Sequence, residues 1–142
     1  MRLKLFKQML DFAAILAQPI FLLTCPPYYD LEMYEGGAND ISMLGTYAEF
    51  LGALKDVIAG TYTALYPGAN SCWVIGLHRD KYGGLLPLHH DIAALHREIG
   101  VKFREEIILS HVNNGAIQRV GNFDKGQHHL IRNHEYALIF QR

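Results

Sequence analysis

Near the start of the chain, a thiol, two prolines and a tyrosine follow one another in the segment Thr24-Cys25-Pro26-Pro27-Tyr28. Two prolines fix the backbone and carry no N–H groups, so their carbonyl oxygens remain as hydrogen-bond acceptors. A flat ligand with an amino group could donate to these acceptors while its face stacks on Tyr28. The same residues also suit a rigid turn whose tyrosine packs inside the protein. Spacing alone leaves both interpretations open.

The segment directly follows a short apolar run, residues 20–24, which is too short for a helix and predicts a buried strand. Residues 71–77 are apolar on both faces, which predicts a central parallel strand covered by helices. Apolar residues that recur every three or four positions predict the helices, with Asp40 or Ser42 as the cap of the long one. The remaining predicted elements are helices at 1–17, 43–65 and 90–99 and strands at 105–112 and 135–141.

Helices and strands that alternate in this order indicate an α/β fold with a mostly parallel sheet. The last two strands follow each other without a helix, which predicts an antiparallel hairpin at one edge. Ligands of such sheets bind beyond the carboxyl ends of the strands. His78 and Arg79 follow the strand at 71–77, so we expect both side chains to contact substrate beside Tyr28, although they could equally belong to an ordinary polar loop. Residues 113–132 are polar and contain three glycines, which predicts a mobile loop.

The amino-acid composition and net charge limit the classes of function that the chain could have. The 142 residues suit one domain, and a hydrophobic fraction of 50% favours a packed core over disorder. The formal net charge of −1 excludes nucleic-acid binding through net charge alone, so any DNA contact must be local. The two cysteines, Cys25 and Cys72, are no disulfide framework, and a cytoplasmic location is expected. The sequence has no apolar run of the ~20 residues that a membrane-spanning helix needs.

Five segments together resemble the DNA amino-methyltransferases. Residues 24–32 resemble motif IV, whose signature is Asp, Asn or Ser, then Pro-Pro, then Tyr, Phe or Trp. Pro-Pro-Tyr alone is a weak match, whereas five segments in the family's order, from about residue 20 to 142, are more specific. The other four are Leu65-Tyr66-Pro67-Gly68-Ala69, Trp73-Val74-Ile75-Gly76 with Arg79-Asp80, Ile99-Gly100-Val101-Lys102-Phe103 with Ile107-Ile108-Leu109, and Asn133-His134-Glu135-Tyr136-Ala137-Leu138-Ile139-Phe140.

The resemblance implies a partial Rossmann-like methyltransferase sheet. It also implies transfer of a methyl group from S-adenosylmethionine to cytosine N4 or adenine N6 of a base flipped out of DNA. By position, Cys25 would be the side-chain acceptor for the amine and Pro26 the carbonyl acceptor. Pro27 would complete the stiff turn, and Tyr28 would stack on the base.

The rim of that site would be lined by Tyr29 and Asp30. Cys25 departs from the family pattern, and a thiol is a weak acceptor. Because cysteine is nearest in size to serine, cytosine N4 is favoured, with adenine N6 still open. Whether a restriction enzyme accompanies the chain stays open too.

The sequence also lacks a Phe-x-Gly-x-Gly segment or a glycine-rich turn after a strand, so it resembles the catalytic half of such an enzyme without the cofactor half. We therefore expect a helical leader over 1–19 and a half-domain over 20–142. Its partners would be DNA and either a second copy or a second half that completes the cofactor site. The alternative is a non-catalytic remnant or subunit that needs a partner for cofactor binding.

Two other chemistries are weaker alternatives. A cysteine hydrolase would pair Cys25 with His111 or His134, but prolines replace the turn that such a nucleophile needs. A zinc site needs converging ligands at a recognisable spacing, which neither histidine group has, so we predict no metal. The two groups are His89, His90 and His96, and His128, His129 and His134.

Overall fold

The computed structural model describes residues 18–29, 31, 40–111 and 133–142. The predicted leader helix at 1–17 and the predicted loop at 113–132 lie outside these residues. The helices are α1 (Tyr47–Ala64) and α2 (Leu88–Glu98), with a 3-10 turn at Ile41–Met43 before α1. The strands are β1 (Phe21–Thr24), β2 (Asn70–Gly76), β3 (His78–Arg79), β4 (Leu85–Leu86), β5 (Lys102–Ser110) and β6 (His134–Gln141).

Four strands form the main sheet in the order β1-β2-β6-β5. β1 pairs with β2 in parallel, whereas β6 is antiparallel to both β2 and β5. β1, β2 and β5 therefore run in one direction. This confirms the α/β fold class and the antiparallel hairpin at one edge. Within that hairpin β5 is the edge strand and β6 is internal, in agreement with the buried Ala137, Leu138 and Phe140 of β6.

Both described helices pack on the same face of the sheet. On that face the Tyr62 hydroxyl of α1 is hydrogen-bonded to Ser71 of β2, and the ring of His96 in α2 lies edge-on to Trp73. The prediction that helices cover β2 on both faces is not tested, because the predicted leader helix lies outside the described residues. In the described part of the chain, Cys72 and Val74 on the opposite face are half-buried. The largest buried side chains are Trp73, Phe50, Phe140, Leu54, Ile58, Leu65, Ile75, Leu88, Ile92 and Leu138.

The ends of the helices differ from the predicted ones. Thr46 caps α1 in a reciprocal capping box with Glu49, whereas the predicted cap Asp40 caps the 3-10 turn instead. α2 begins at Leu88, and Gly100 follows its end with a φ of 79°. The sequence predicts no helix or strand between β2 and α2, but the loop there contains the two-stranded ribbon β3–β4. Among the described residues, no helix is long and apolar enough to cross a membrane.

Candidate functional site

The predicted turn lies at the carboxyl end of β1, beside the carboxyl end of β2. The parallel register ends with Thr24 opposite Trp73, so residues 25–28 leave the sheet next to Val74 and Gly76. Pro26 is buried and Cys25 is exposed. The buried proline fixes the turn against the protein, while the thiol in front of it stays accessible to a ligand.

Tyr28 lies across the end of β2. Its hydroxyl oxygen accepts a hydrogen bond from the backbone N–H of Gly76 at 2.5 Å. A Cβ atom at Gly76 would lie 2.9 Å from that hydroxyl oxygen and 3.5 Å from Oε1 of Glu135, so a side chain there must displace Tyr28. The ring is half-buried and packs against the core. Tyr28 therefore has a fixed position at the crevice.

We expect Gly76→Ala to lower the free energy of unfolding by about 1–3 kcal/mol, because the new methyl group overlaps the Tyr28 hydroxyl. Urea denaturation measures the change. Gly52→Ala is the matched control, since Gly52 lies in α1 with no atom within 4 Å of its Cβ position, and alanine there stabilises by up to about 1 kcal/mol. Equal effects at the two glycines would contradict the described contact.

Glu135 and His111 form a polar pair beside Tyr28. Glu135 is the register partner of Gly76 in β2, and its Oε2 lies 3.0 Å from Nε2 of His111, which follows β5. The backbone N–H of His111 donates to the carbonyl of Asn133 at 2.7 Å, which ties the two strand ends together. The pair provides a carboxylate acceptor at the crevice. Sequence analysis missed this role, although Glu135 belongs to the segment that resembles the family's late strand.

Another histidine near the crevice, His89, is buried at the start of α2. The ring of His89 stacks on Tyr136 with a centroid separation of 4.2 Å, and only 7% of the residue is exposed. Burial, followed by the neighbouring His90, lowers the pKa of His89 to about 4, so the ring is neutral at neutral pH. His134 lies beside the same tyrosine, with Nε2 3.2 Å from the Tyr136 hydroxyl oxygen. These contacts fix Tyr136 at the start of β6.

Tyr29 packs against α1. Its hydroxyl donates to the Gly45 carbonyl at 3.1 Å, and its ring centroid lies 5.5 Å from Tyr47 and 5.8 Å from Phe50. Tyr47 in turn donates to Oδ2 of Asp91 at 2.7 Å, which joins α1 to α2. Tyr29 therefore forms part of a packed aromatic wall next to the turn. The predicted rim residue Asp30 lies outside the described residues.

The predicted contact residues His78 and Arg79 form strand β3. Nη1 of Arg79 donates to the carbonyl of Gly83 at 2.8 Å, across its own ribbon. Both residues follow Gly76 closely, so they lie at the same end of the sheet as Tyr28. Their contact with substrate stays a prediction.

A cavity of about 160 Å³ lies between β1, the turn and α1. Small-molecule sites usually have volumes of about 300–1,000 Å³, and this cavity has no carboxylate or glycine-rich turn in its wall. This cavity is therefore too small, by itself, to hold a nucleoside cofactor. In the described ranges, no three His, Cys, Asp or Glu side chains converge on a possible metal position. The cavity is lined by Leu22, Thr24, Cys25, Pro26, Pro27, Ile41, Leu54, Val57, Thr61 and Trp73.

The fold is that of DNA methyltransferases. No protein-family model and no curated protein matches the chain. Solved structures match almost all of it, but the chain spans about half the length of those structures. With identities below 25%, the likeness establishes the fold.

Two proteins illustrate the match. TTHA0409 from Thermus thermophilus, to which a DNA modification methylase function is ascribed, has a TM-score of 0.61 at 21% identity over 92% of this chain and 49% of its own. Its complex with S-adenosyl-L-methionine gives 0.58 at 24% identity, over 92% of this chain and 52% of its own. The cytosine-N4-specific PvuII DNA methyltransferase gives 0.56 at 12% identity, over 89% of this chain and 45% of its own.

Proposed function

We propose that this chain is the base-binding half of a cytoplasmic DNA amino-methyltransferase that uses S-adenosylmethionine. The observation that supports this most directly is the turn formed by residues 25–28. It lies at the carboxyl end of a parallel strand, in a methyltransferase fold, with Tyr28 fixed by Gly76. The substrate is the exocyclic amine of a flipped base, with cytosine N4 favoured and adenine N6 open.

The chain's own residues act on the amine. An exocyclic amine is a poor nucleophile because its lone pair is delocalised into the ring. Cys25 Sγ and the Pro26 carbonyl accept its two N–H groups, which turns the lone pair out of the plane of the base. Stacking on Tyr28 offsets part of the few kcal/mol that unstacking the base costs. In this proposal Tyr29, His78 and Arg79 contribute to the surrounding crevice. The cofactor supplies the methyl group.

A second half completes the cofactor site in this proposal, as a further segment, a separate subunit or a second copy of the chain. Two observations support it: the chain spans about half of the matched structures, and β1 is an edge strand of the described sheet. Phe21 and Leu23 of β1 are 54% and 64% exposed, which leaves apolar surface for such a neighbour.

A non-catalytic subunit is the second candidate function. The thiol of Cys25 at the acceptor position favours it, because a thiol is a weak acceptor. In that case the chain would hold the base or the partner without supporting transfer itself.

The test is to purify the tagged chain from its native cells, together with any protein that accompanies it, and to incubate it with S-adenosylmethionine and unmethylated DNA. Mass spectrometry of the digested nucleosides then detects the product. N4-methylcytosine or N6-methyladenine would support the proposal and identify the base. Their absence, with the chain folded, would refute methylation and leave the non-catalytic subunit. The chain purified alone tests whether a partner is needed.

Cys25→Ser is expected to raise the rate of methyl transfer by about 2- to 10-fold, because a hydroxyl oxygen is a better acceptor than a thiol by about the net strength of one hydrogen bond. The same nucleoside assay measures the rate. Cys72→Ser, which makes the same change in the half-buried part of β2, is the control and should give no such gain. A fall in rate in folded Cys25→Ser would mean that the thiol itself suits the site.

A further inference from the structure

The ribbon β3–β4 carries an aromatic side chain that is exposed to solvent and adds little to the packing of the protein. Tyr82 at its tip is 85% exposed, more than any other large hydrophobic side chain in the described ranges. The strands on either side pair His78 with Leu86 and Arg79 with Leu85. Such an exposed ring buries almost no surface, so it contributes little to stability.

The backbone beneath Tyr82 is nevertheless tightly ordered. Oδ1 of Asp80 accepts hydrogen bonds from the N–H groups of Tyr82 at 2.9 Å and Gly84 at 2.7 Å. Gly83 adopts a φ of 84°, which favours glycine, and a Cβ atom at Gly84 would lie 2.8 Å from Asp80 Oδ2 and would displace that carboxylate. A preordered turn lowers the entropy cost of contact with a partner.

The chemistry of the tip suits a nucleic acid. Nζ of Lys81 lies 5.2 Å from the centroid of the Tyr82 ring, and Arg79 adds a second cation to the ribbon. Asp80, the carboxylate between them, is bonded to backbone N–H groups of the turn. An aromatic face beside cations is the combination that stacks on a base and attracts its phosphate.

The ribbon also begins at the crevice. Its first residue lies two positions after Gly76, which holds the Tyr28 hydroxyl. The six residue-to-residue steps from Gly76 to Tyr82 span at most about 22 Å. At a spacing of about 3.4 Å per nucleotide, Tyr82 reaches a base within about six steps of one held at Tyr28.

We propose that Tyr82 is a second DNA-contacting ring, which stacks on an unpaired or partly unstacked base near the target base, while Lys81 contacts the neighbouring phosphate. DNA as the partner rests on the proposed function. The step is binding only, and no bond is formed or broken.

The test measures fluorescence anisotropy of two labelled duplexes, one fully paired and one with a single bulged base. Tyr82→Ala should weaken binding to the bulged duplex at least about fivefold, whereas Tyr82→Phe, which keeps the ring, should bind as the unaltered chain does. Tyr66→Ala is the matched control. Tyr66 is 40% exposed, but its N–H bonds to Pro19 at the amino end of β1, away from the ribbon.

Fluorescence of Tyr82→Trp provides a second measurement. The natural tryptophan, Trp73, is 2% exposed, so quenching of an exposed tryptophan by the bulged duplex would report stacking at the tip. Equal binding by the unaltered chain and Tyr82→Ala, or no binding of the unaltered chain to either duplex, would overturn the proposal. The assay for methylated nucleosides tests the proposed function separately. If Tyr82→Ala binds DNA as the unaltered chain does and still transfers methyl groups, the proposed function stands and only the role of Tyr82 is refuted.

Discussion

Alanine in place of Tyr28 is expected to slow methyl transfer to DNA by about 5- to 150-fold, because the flipped base loses the ring on which it stacks. Stacking on an aromatic side chain contributes about 1–3 kcal/mol, which corresponds to that range. The free energy of unfolding falls as well, by about 1–2 kcal/mol, since the ring is half-buried and its hydroxyl is bonded to Gly76. Rates are therefore compared at a temperature where both proteins are folded.

Tyr28→Phe separates the two roles of the side chain. Phenylalanine keeps the stacking face and loses only the hydrogen bond to Gly76. We expect it to retain most of kcat, with a change of only a few fold from a less firmly held ring. If Tyr28→Ala and Tyr28→Phe lose the same activity, the hydroxyl matters and stacking does not. If neither loses any, Tyr28 has no role in transfer.

Acidification from pH 6.5 to pH 4 is expected to remove about 3 kcal/mol of stability through His96 alone. His96 is fully buried, and burial lowers its pKa in the folded protein to about 4, whereas the unfolded chain takes up the proton near pH 6.5. Between these values the unfolded state binds more protons, so stability falls as the pH falls. Above about pH 6.5, His96 makes its full contribution to the free energy of unfolding.

The surroundings of His96 explain why the charge is excluded. Its ring stacks on Phe140 at a centroid distance of 3.6 Å and meets Tyr62 and Trp73 edge-on. Nδ1–H donates to the Ile92 carbonyl at 2.7 Å, whereas Nε2 is buried with no partner among the described residues. A proton on Nε2 would place a charge in a site shielded from water, with no acceptor among the described residues.

His96→Phe removes the titrating nitrogen, so the dependence of unfolding free energy on pH should become shallower between pH 6.5 and 4. Urea denaturation at several pH values measures it, and the slope with pH is informative even if the variant is less stable throughout. His89, whose pKa is also lowered by burial, should account for part of the remaining slope, which His89→Phe would reduce further. An unchanged slope in both variants would contradict this assignment.

Much of the sheet could be predicted because the signals lie in hydrophobic periodicity. The apolar run at 71–77 identified β2, and the repeat of apolar residues identified α1 with boundaries correct to a few residues. The cap was also predictable, although the prediction was wrong. Asp40, Ser42 and Thr46 all have capping side chains, but only Thr46 is followed three residues later by a glutamate, which is the capping-box signal. The position of β6 inside the sheet depends on long-range pairing that has no local signal.

The predicted topology was enough to locate the candidate site, but it could not predict the side-chain contacts within the site. Parallel strands place residues 25–28 and the end of β2 together, but the bond from Gly76 to Tyr28 depends on how far one side chain reaches. The sequence analysis weighed His89 and His96 only as possible metal ligands. Both are buried, since stacking on Tyr136 and Phe140 provides contacts that the sequence alone does not reveal.

The central place of β6 has a consequence for the order in which the sheet can form. Among the described residues, β6 is the strand that joins β5 to the rest of the sheet. A chain that emerges from the ribosome can pair β1 with β2 early, but β5 then waits without a neighbour until residue 134 has appeared. During that interval the backbone N–H and C=O groups of β5 lack their β6 partners and can pair with other chains, so translation speed and chaperone contact over this stretch should decide how much protein folds rather than aggregates.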